Sequence, residues 1–368
     1  MNNDSTIHQS KEVKIIDNVI YMPILKANQG EFNGYYMLEK NNKNKMIPIF
    51  EMKTIEELKK FKTESEQEQE IEKTKKSLKK NINKTCASFY GLDSKNHYEF
   101  LETMVEEYEN IIPVVESKYF SIFEKNILQN KKTKNFILRM KLPIFIDEME
   151  EEEILNIVKK YEKEFKILIN LDLQDAYNDS NTRENYSQAK KILEFFEKND
   201  LKNEIIISSS SLPKNLEEIE NGGTKEFLKL EFEIFKKLCS KFKNLKFIYS
   251  DYGIAKNVDV MIDFSKINKQ SILAKIRYTL PESYFLLKGK NADKKLQTPK
   301  ISIKELIKKL IDSDKFLGED FSTGDKKLKE ILDDPKSKGT PKQVIEYTTN
   351  HHIVLILEQL SQYYESLI

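Results

Sequence analysis

Eight short apolar runs, each followed by a longer segment of helical periodicity, constrain this chain more than any other feature. The runs cover residues 19–25, 46–50, 85–90, 111–115, 136–140, 166–171, 204–208 and 245–249. They are near-continuous rather than alternating, the pattern of strands buried on both faces. The segments between them read as helices over 30–40, 54–80, 95–109, 118–128, 148–164 and 185–198, with a broken helical region over 213–241. Strand–helix alternation with short links is the signature of parallel βα units. Eight units over about 230 residues match the count and span of a (β/α)8 TIM-barrel-like architecture. An open dinucleotide-binding sheet is the rival, but the turn after the first run, Lys26-Ala-Asn-Gln-Gly-Glu-Phe-Asn-Gly34, lacks G-x-G-x-x-G.

Beyond residue 249 the pattern changes. Runs over 272–279 and 283–287 flank Leu280-Pro-Glu282 and read as a β-hairpin. A helix over 301–312, a loop with Gly318-Glu-Asp-Phe-Ser-Thr-Gly-Asp325, a short helix to 332 and a last helix to about 366 follow. The expected organisation is a polar arm over 1–18, a barrel over 19–256 and a hairpin-plus-helical cap over 257–368. The stripe Val344, Ile345, Thr348, His352, Leu355 and Ile356 equips the last helix to dock on another surface. If that surface is the rim of the barrel, a histidine and Arg277 close over it.

The charge balance narrows the partners. The 61 basic residues face 60 acidic ones, a net charge of +1, which argues against duplex DNA as a dedicated partner. Two distant cysteines, Cys86 and Cys239, give no disulfide framework and fit a reducing cytoplasm. The first ten residues hold no apolar signal core, and no apolar run approaches the length of a spanning helix. Only three of the basic residues are arginine, and two of them, Arg139 and Arg277, close apolar runs. Guanidinium offers a rigid fork of donors that lysine lacks, so these positions suit oriented contact with an anion such as a phosphate. A plain ion pair at a strand end explains them equally well.

Ligands of such a barrel meet the C-terminal ends of its strands. Those ends supply Lys26 with Glu31, Glu51, Glu116, Arg139, Asp172 with Asp175, the serines over 208–211, and Asp251. Carboxylates there can ligate a hard cation such as Mg2+ or move protons, and the cations can hold an anion. Glu51 and Asp251 abut their apolar runs directly and are the first candidates for base or metal ligand. Arg139 and Arg277 are the candidate anion clamps, with Arg139 and Asp251 expected on one rim. The bland alternative is that charges follow every buried strand, because strands end where solvent begins. Gly222-Gly223 reads as a turn before a helix starting at 224. His351 and His352 lack the spacing of a zinc site, and only one of two adjacent helical residues can face a given pocket, so one of them is read as a proton carrier or an anion contact, or else as a satisfied core histidine. No Walker motif, nucleophile elbow or Cys/His pair is present.

These residues carry a family likeness. Tyr21-Met-Pro-Ile-Leu-Lys26 with Glu31, Pro48-Ile-Phe-Glu51, Ser211-Leu-Pro213 and Asp251-Tyr-Gly-Ile254 come first. Ile276-Arg-Tyr-Thr279, Tyr284 with Gly289-Lys290, Gly318 to Ser322 with Gly324-Asp325, and Asn350-His-His352 follow. In that order and spacing the chain resembles the phage Beta protein family of satellite phages and bacterial anti-phage defence loci. The resemblance implies a role in defence against phage alongside other defence proteins, and no reaction. The leading expectation is a barrel enzyme acting on a nucleotide or nucleic-acid end. In it Glu51, Asp251, His351 and His352 are catalytic, and Lys26, Glu31, Arg139, Asp172, Arg277 and Tyr278 bind substrate. The alternative is a non-catalytic sensor or interaction subunit.

Overall fold

The structure, a computed structural model, describes residues 18–51, 87–90, 111–129, 133–142, 148–176, 179–213, 215–254, 273–292 and 300–367, with scattered positions between 63 and 106. Most of the expected helices over 54–80 and 95–109, and almost all of the 1–18 arm, lie outside the described residues; the scattered positions described within the two helices are helical but for a bend at 63. Each of the eight apolar runs overlaps a strand. They are β1 (Ile24–Lys26), β2 (Ile49–Glu51), β3 (Ala87–Tyr90), β4 (Ile111–Glu116), β5 (Asn135–Lys141), β6 (Lys166–Asp175), β7 (Ile205–Ser210) and, after an intervening strand, β9 (Phe247–Asp251). Together they form one eight-stranded sheet, every pair parallel and every neighbour the next of the eight in the chain. The two end strands also approach one another. Tyr21, just ahead of β1, forms a parallel bridge with Tyr249 of β9. There Met22 N–H donates to the Tyr249 carbonyl (2.9 Å) and Tyr249 N–H to the Ile20 carbonyl (3.2 Å).

Two cores explain why the runs are apolar throughout. One contains Ile24, Ile49, Val114, Ile137, Leu168, Ile206 and Ile248, drawn from seven of the eight strands, and no helix residue. The other faces the helices α1 (Gln29–Tyr36), followed in the chain by the short α2 (Lys40–Lys43), which buries none of its residues, and then α3 (Phe120–Phe123), α4 (Glu148–Tyr161), α5 (Asp179–Lys198) and α6 (Leu230–Lys241). Phe32, Phe123, Ile154, Phe196 and Phe235 pack there against Leu25, Phe50, Val115, Leu138, Ile169 and Ile207. Successive strand residues point to opposite faces, so a strand covered on both sides must be apolar at every position.

The region over 213–241 departs from the helical expectation. Thr224–Leu228 is strand β8, antiparallel to β11 (Ser283–Lys288), which pairs in turn with β10 (Lys275–Thr279). The Gly222-Gly223 turn is present, with Gly222 at φ 86°, but it opens onto this strand and not onto a helix. Tertiary pairing overrides the local reading, because Phe227 finds Tyr284 and Leu286 across the ladder. The hairpin β10–β11 packs with α7 (Ile303–Ile311) and α8 (Thr323–Asp333) in a separate core.

The last helix, α9 (Pro341–Glu365), belongs to both cores. Val344 and Tyr347 join the hairpin unit, whereas Ile353, Ile356, Leu357 and Leu360 join the helix-facing core of the large sheet. Tyr364 hydroxyl donates to the Phe247 carbonyl of β9 (2.9 Å). The helix buries more than the expected stripe: Thr349, Asn350, His351 and Leu357 are also inside, and Ile345 stays 37% exposed. None of the helices among the described residues is long and apolar enough to cross a membrane.

α1 lies unusually close to α9. A Cβ placed on Gly34 would stand 2.6 Å from the Glu346 carbonyl oxygen and 2.8 Å from Thr349 Cβ. Helix propensity alone predicts that Gly34→Ala stabilises by up to about 1 kcal/mol. The contact predicts the reverse, a loss of about 1–3 kcal/mol from overpacking. Urea unfolding of the variant distinguishes the two, and a raised midpoint would show that the helices are not this close.

Candidate functional site

Strand parity decides which polar side chains meet. Residues two apart share a face, so Lys26, Glu51, Glu116, Arg139, Asn170, Asp172, Ser208 and Ser250 continue the face of the helix-free core toward the C-terminal strand ends. The centre of this polar tier is Arg139, 1% exposed. Its Nε donates to Asp172 Oδ2 (2.9 Å), and Nη2 donates to the same oxygen and to the Tyr252 hydroxyl (2.7 Å). Tyr252 donates in turn to Asp172 Oδ2 (2.7 Å). Nη1 lies 3.9 Å from Glu51 Oε1, and Lys26 Nζ pairs with Glu51 Oε2. A buried charge is tolerable only when it is paired and hydrogen-bonded in this way. The openings toward solvent are Lys26, Lys141 and Glu116, and the last two pair at 2.8 Å.

Glu31 joins this tier from the first turn of α1. It accepts from the Lys26 N–H and from Asn28 Nδ2 (3.0 Å), while Asn28 caps the helix through Glu31 N–H (3.0 Å). Burial pushes its carboxyl up to about 7, against the opposing pull of those hydrogen bonds and of the Lys26 charge. Arg277, on β10, reaches the same end of the sheet: its Nη1 donates to the Ile254 carbonyl just past β9 (3.0 Å). Burial lowers its pKa, opposed by attraction to Glu31. Its Nε is buried and has no hydrogen-bond partner among the described residues. Lys26, Glu31, Glu51, Arg139, Asp172 and Arg277 are thus brought to one place.

Asp251, His351, His352 and Tyr278 are held elsewhere. Asp251 ends its strand at the same end as Arg139 but follows Tyr249 in parity, so it faces the helices and α9. It accepts from Tyr21 hydroxyl (2.7 Å) and Gly253 N–H (3.0 Å), and His352 Nε2 lies 3.1 Å from its other oxygen. Burial works to raise its pKa, but the charge and hydrogen bond of His352, with those of Tyr21 and Gly253, bring it below the usual aspartate value. His352 Nδ1 meets Thr279 Oγ1 at 2.8 Å. His351 Nε2 donates to the Thr279 carbonyl (2.8 Å), and its Nδ1 lies 2.7 Å from Asp325 Oδ2. Tyr278 stacks on His351 at 3.9 Å and donates to Asp325 Oδ1 (2.8 Å). Asn350 completes the set, accepting from Gly324 N–H (2.7 Å) and donating to the Gly34 carbonyl (3.1 Å). All of these side chains are fully or almost fully buried.

Sequence reasoning missed Tyr252, although it adjoins Asp251, because its role depends on facing the other way. It also missed the buried pair of neighbours Lys229 and Glu231. Lys229 donates to the Leu280 carbonyl (3.3 Å) and to Gln359, and burial lowers its pKa to about 8. Glu231 accepts from Ser211 and Tyr284. Among the described residues no group of three His, Cys, Asp or Glu side chains is placed to hold a metal ion, and Glu51 and Asp172 are turned onto cations.

The sequence model of one protein family, described as Beta protein, matches residues 21–358. The chain belongs to the Beta protein family. The match runs from Tyr21 at the start of the sheet to beyond His352, so it takes in both the polar tier and the seam with α9. No curated protein matches the chain.

Two outcomes follow for this family member. Arg139→Met or Asp172→Asn leaves a buried charge without its partner and is expected to cost about 3–5 kcal/mol in urea unfolding, with the double substitution well short of additive. A cost below about 1 kcal/mol, that of an exposed pair, would place the pair in solvent. For Glu31, the folded carboxyl holds its proton to about pH 7, whereas an ordinary glutamate releases it near 4.5. Stability therefore falls as pH rises through that window and is flat above it. Glu31→Gln should remove this fall, so that the variant gains on the wild type from about pH 4.5 to 7; parallel pH profiles would refute it.

Proposed function

We propose that the eight-stranded sheet closes into a (β/α)8 barrel whose C-terminal strand ends bind an anionic ligand, a nucleotide or a nucleic-acid end. Closure is supported by the Tyr21–Tyr249 bridge and by a helix-free core drawing side chains from seven strands. In this reading α9 is the barrel's last helix, and β10, β11, α7 and α8 form a unit inserted before it. The observation that carries the ligand is Arg277 Nε, a buried guanidinium N–H without an acceptor beside the polar tier. A buried donor left unmade costs about 1–3 kcal/mol, which an oxyanion seated against it would recover. Lys26 and Lys141, both open to solvent, flank the route.

Glu31, buried and protonated to about neutral pH, is suited to proton transfer at that place, with Glu51 holding Lys26 and Arg139 in register. Asp251 and the two histidines serve better as the bolt that holds α9 and the hairpin to the sheet. We further propose that the protein is a cytoplasmic component of anti-phage defence that works with other defence proteins, a reading that the family resemblance supports. A sensor without chemistry is the second reading, favoured by carboxylates that are already paired internally. Inorganic phosphate and a 5′-phosphorylated oligonucleotide should raise the unfolding temperature of the wild type, an effect that weakens with salt. Arg277→Lys should abolish it while leaving the fold intact, and an unchanged response would remove the anion site. In a plaque assay, loss of protection in Arg277→Lys together with Glu31→Gln supports an enzyme; loss in Arg277→Lys alone supports a sensor.

A further inference from the structure

The sixth strand holds a backbone conformation that local sequence does not explain. Gln174 has φ 50°, in the left-handed region that disfavours residues with a long side chain. The other such non-glycine residue among those described, Asp200 at φ 56°, lies two residues past the end of α5, where helices commonly end this way and where aspartate is tolerated. Gln174 instead sits in a register shift between Asp172, opposite Ser208, and Asp175, opposite Ser210, where β6 carries one more residue than β7. Bulges of this kind re-aim neighbouring side chains.

What the bulge aims is Asp172. Gln174 N–H donates to Asp172 Oδ1 (3.0 Å), while Oδ2 receives Arg139 and Tyr252. The Gln174 side-chain amide donates to the Leu142 carbonyl (2.8 Å), and Leu142 N–H donates back to the Asp172 carbonyl (2.7 Å). One carboxylate oxygen is therefore pinned by the strained residue, and the other fixes the guanidinium. We propose that Gln174 is a positioning residue: its left-handed bulge holds the Asp172 carboxylate and through it sets the direction of Arg139 at the ligand-binding strand ends. This rests on the anion-site reading above for its purpose, though not for its geometry. Strain kept where relaxation would be easy is the mark of a conformation held for use rather than for folding.

The scarcity of arginine makes the test direct. With three arginines in the chain, 15N-arginine labelling gives at most three Nε–H signals, and Arg139→Lys identifies the one from Arg139. Gln174→Gly removes the strain and the amide clamp. Gln174→Asn keeps a residue tolerant of the left-handed region but shortens the clamp, and carries the test if the glycine variant does not fold. Both should keep or raise the urea midpoint while the Arg139 signal shifts and exchanges with water at least about tenfold faster, the factor for one lost hydrogen bond. The Arg183 signal should not move. An Arg139 signal unchanged in both variants overturns the proposal, as does a lowered midpoint without change in that signal. Titrating inorganic phosphate into the wild type tests the other reading alone: no response from Arg139 or Arg277 would remove the anion site and leave the positioning role standing.

Discussion

A guanidinium deprived of water stays charged only where acceptors replace the water, and the C-terminal ends of the strands are organised around that requirement at Arg139. Asp172 takes two of its donors, Tyr252 shares one, and Glu51 stands opposite the remaining nitrogen. Glu51 is in turn bound to Lys26, and the Lys26 backbone to Glu31. Four strands and the first helix thus contribute to one set of charges, each of which is affordable only because the others are present. Such a set does not tolerate piecemeal rearrangement. That makes it a rigid platform, and rigidity at the strand ends is what oriented recognition of a charged ligand needs.

The same logic, with neutral and charged partners mixed, governs the seam where α9 meets the sheet. Asn350, His351 and His352 are consecutive on one helix and point about 100° apart, so they reach three different neighbours. Asn350 ties α1 to the start of α8, His351 ties β10 to Asp325, and His352 ties β10 to Asp251 and Tyr21. The small residues Gly34 and Gly324 let the backbones come close enough for these bonds to form. Polar residues occupy the middle of a buried helix here because three separate units must be held in one arrangement, and directional bonds specify an arrangement as aliphatic contact does not.

Much of this was legible in the chain. Strands covered on both faces must be apolar at every position, so the eight runs announced themselves and their order followed from short helical links. The arginines at strand ends singled out the two guanidinium groups that the fold brings to one end of the sheet. The segment 224–228 misled, because Thr-Lys-Glu-Phe-Leu has no strong local preference and its partner strand lies more than 50 residues away. The histidines were legible only in part: a polar residue in a helix centre signals a directional bond, but not whether the bond serves chemistry or assembly.

Sequence by itself determined the eight strands of the parallel sheet and their order, the α/β class, the hairpin that follows them, and the group of candidates Lys26, Glu31, Glu51, Arg139 and Asp172. These depend on residue type and local periodicity, which a chain displays without folding. Tertiary structure alone decided that Asp251 faces the helices while its neighbour Tyr252 faces Arg139, that α9 packs along the sheet, and that Gln174 is held in a left-handed bulge. Each of those turns on which face or which distant partner a residue meets. A single step of strand parity, or one register shift, reverses the answer without altering the composition or pattern of the chain.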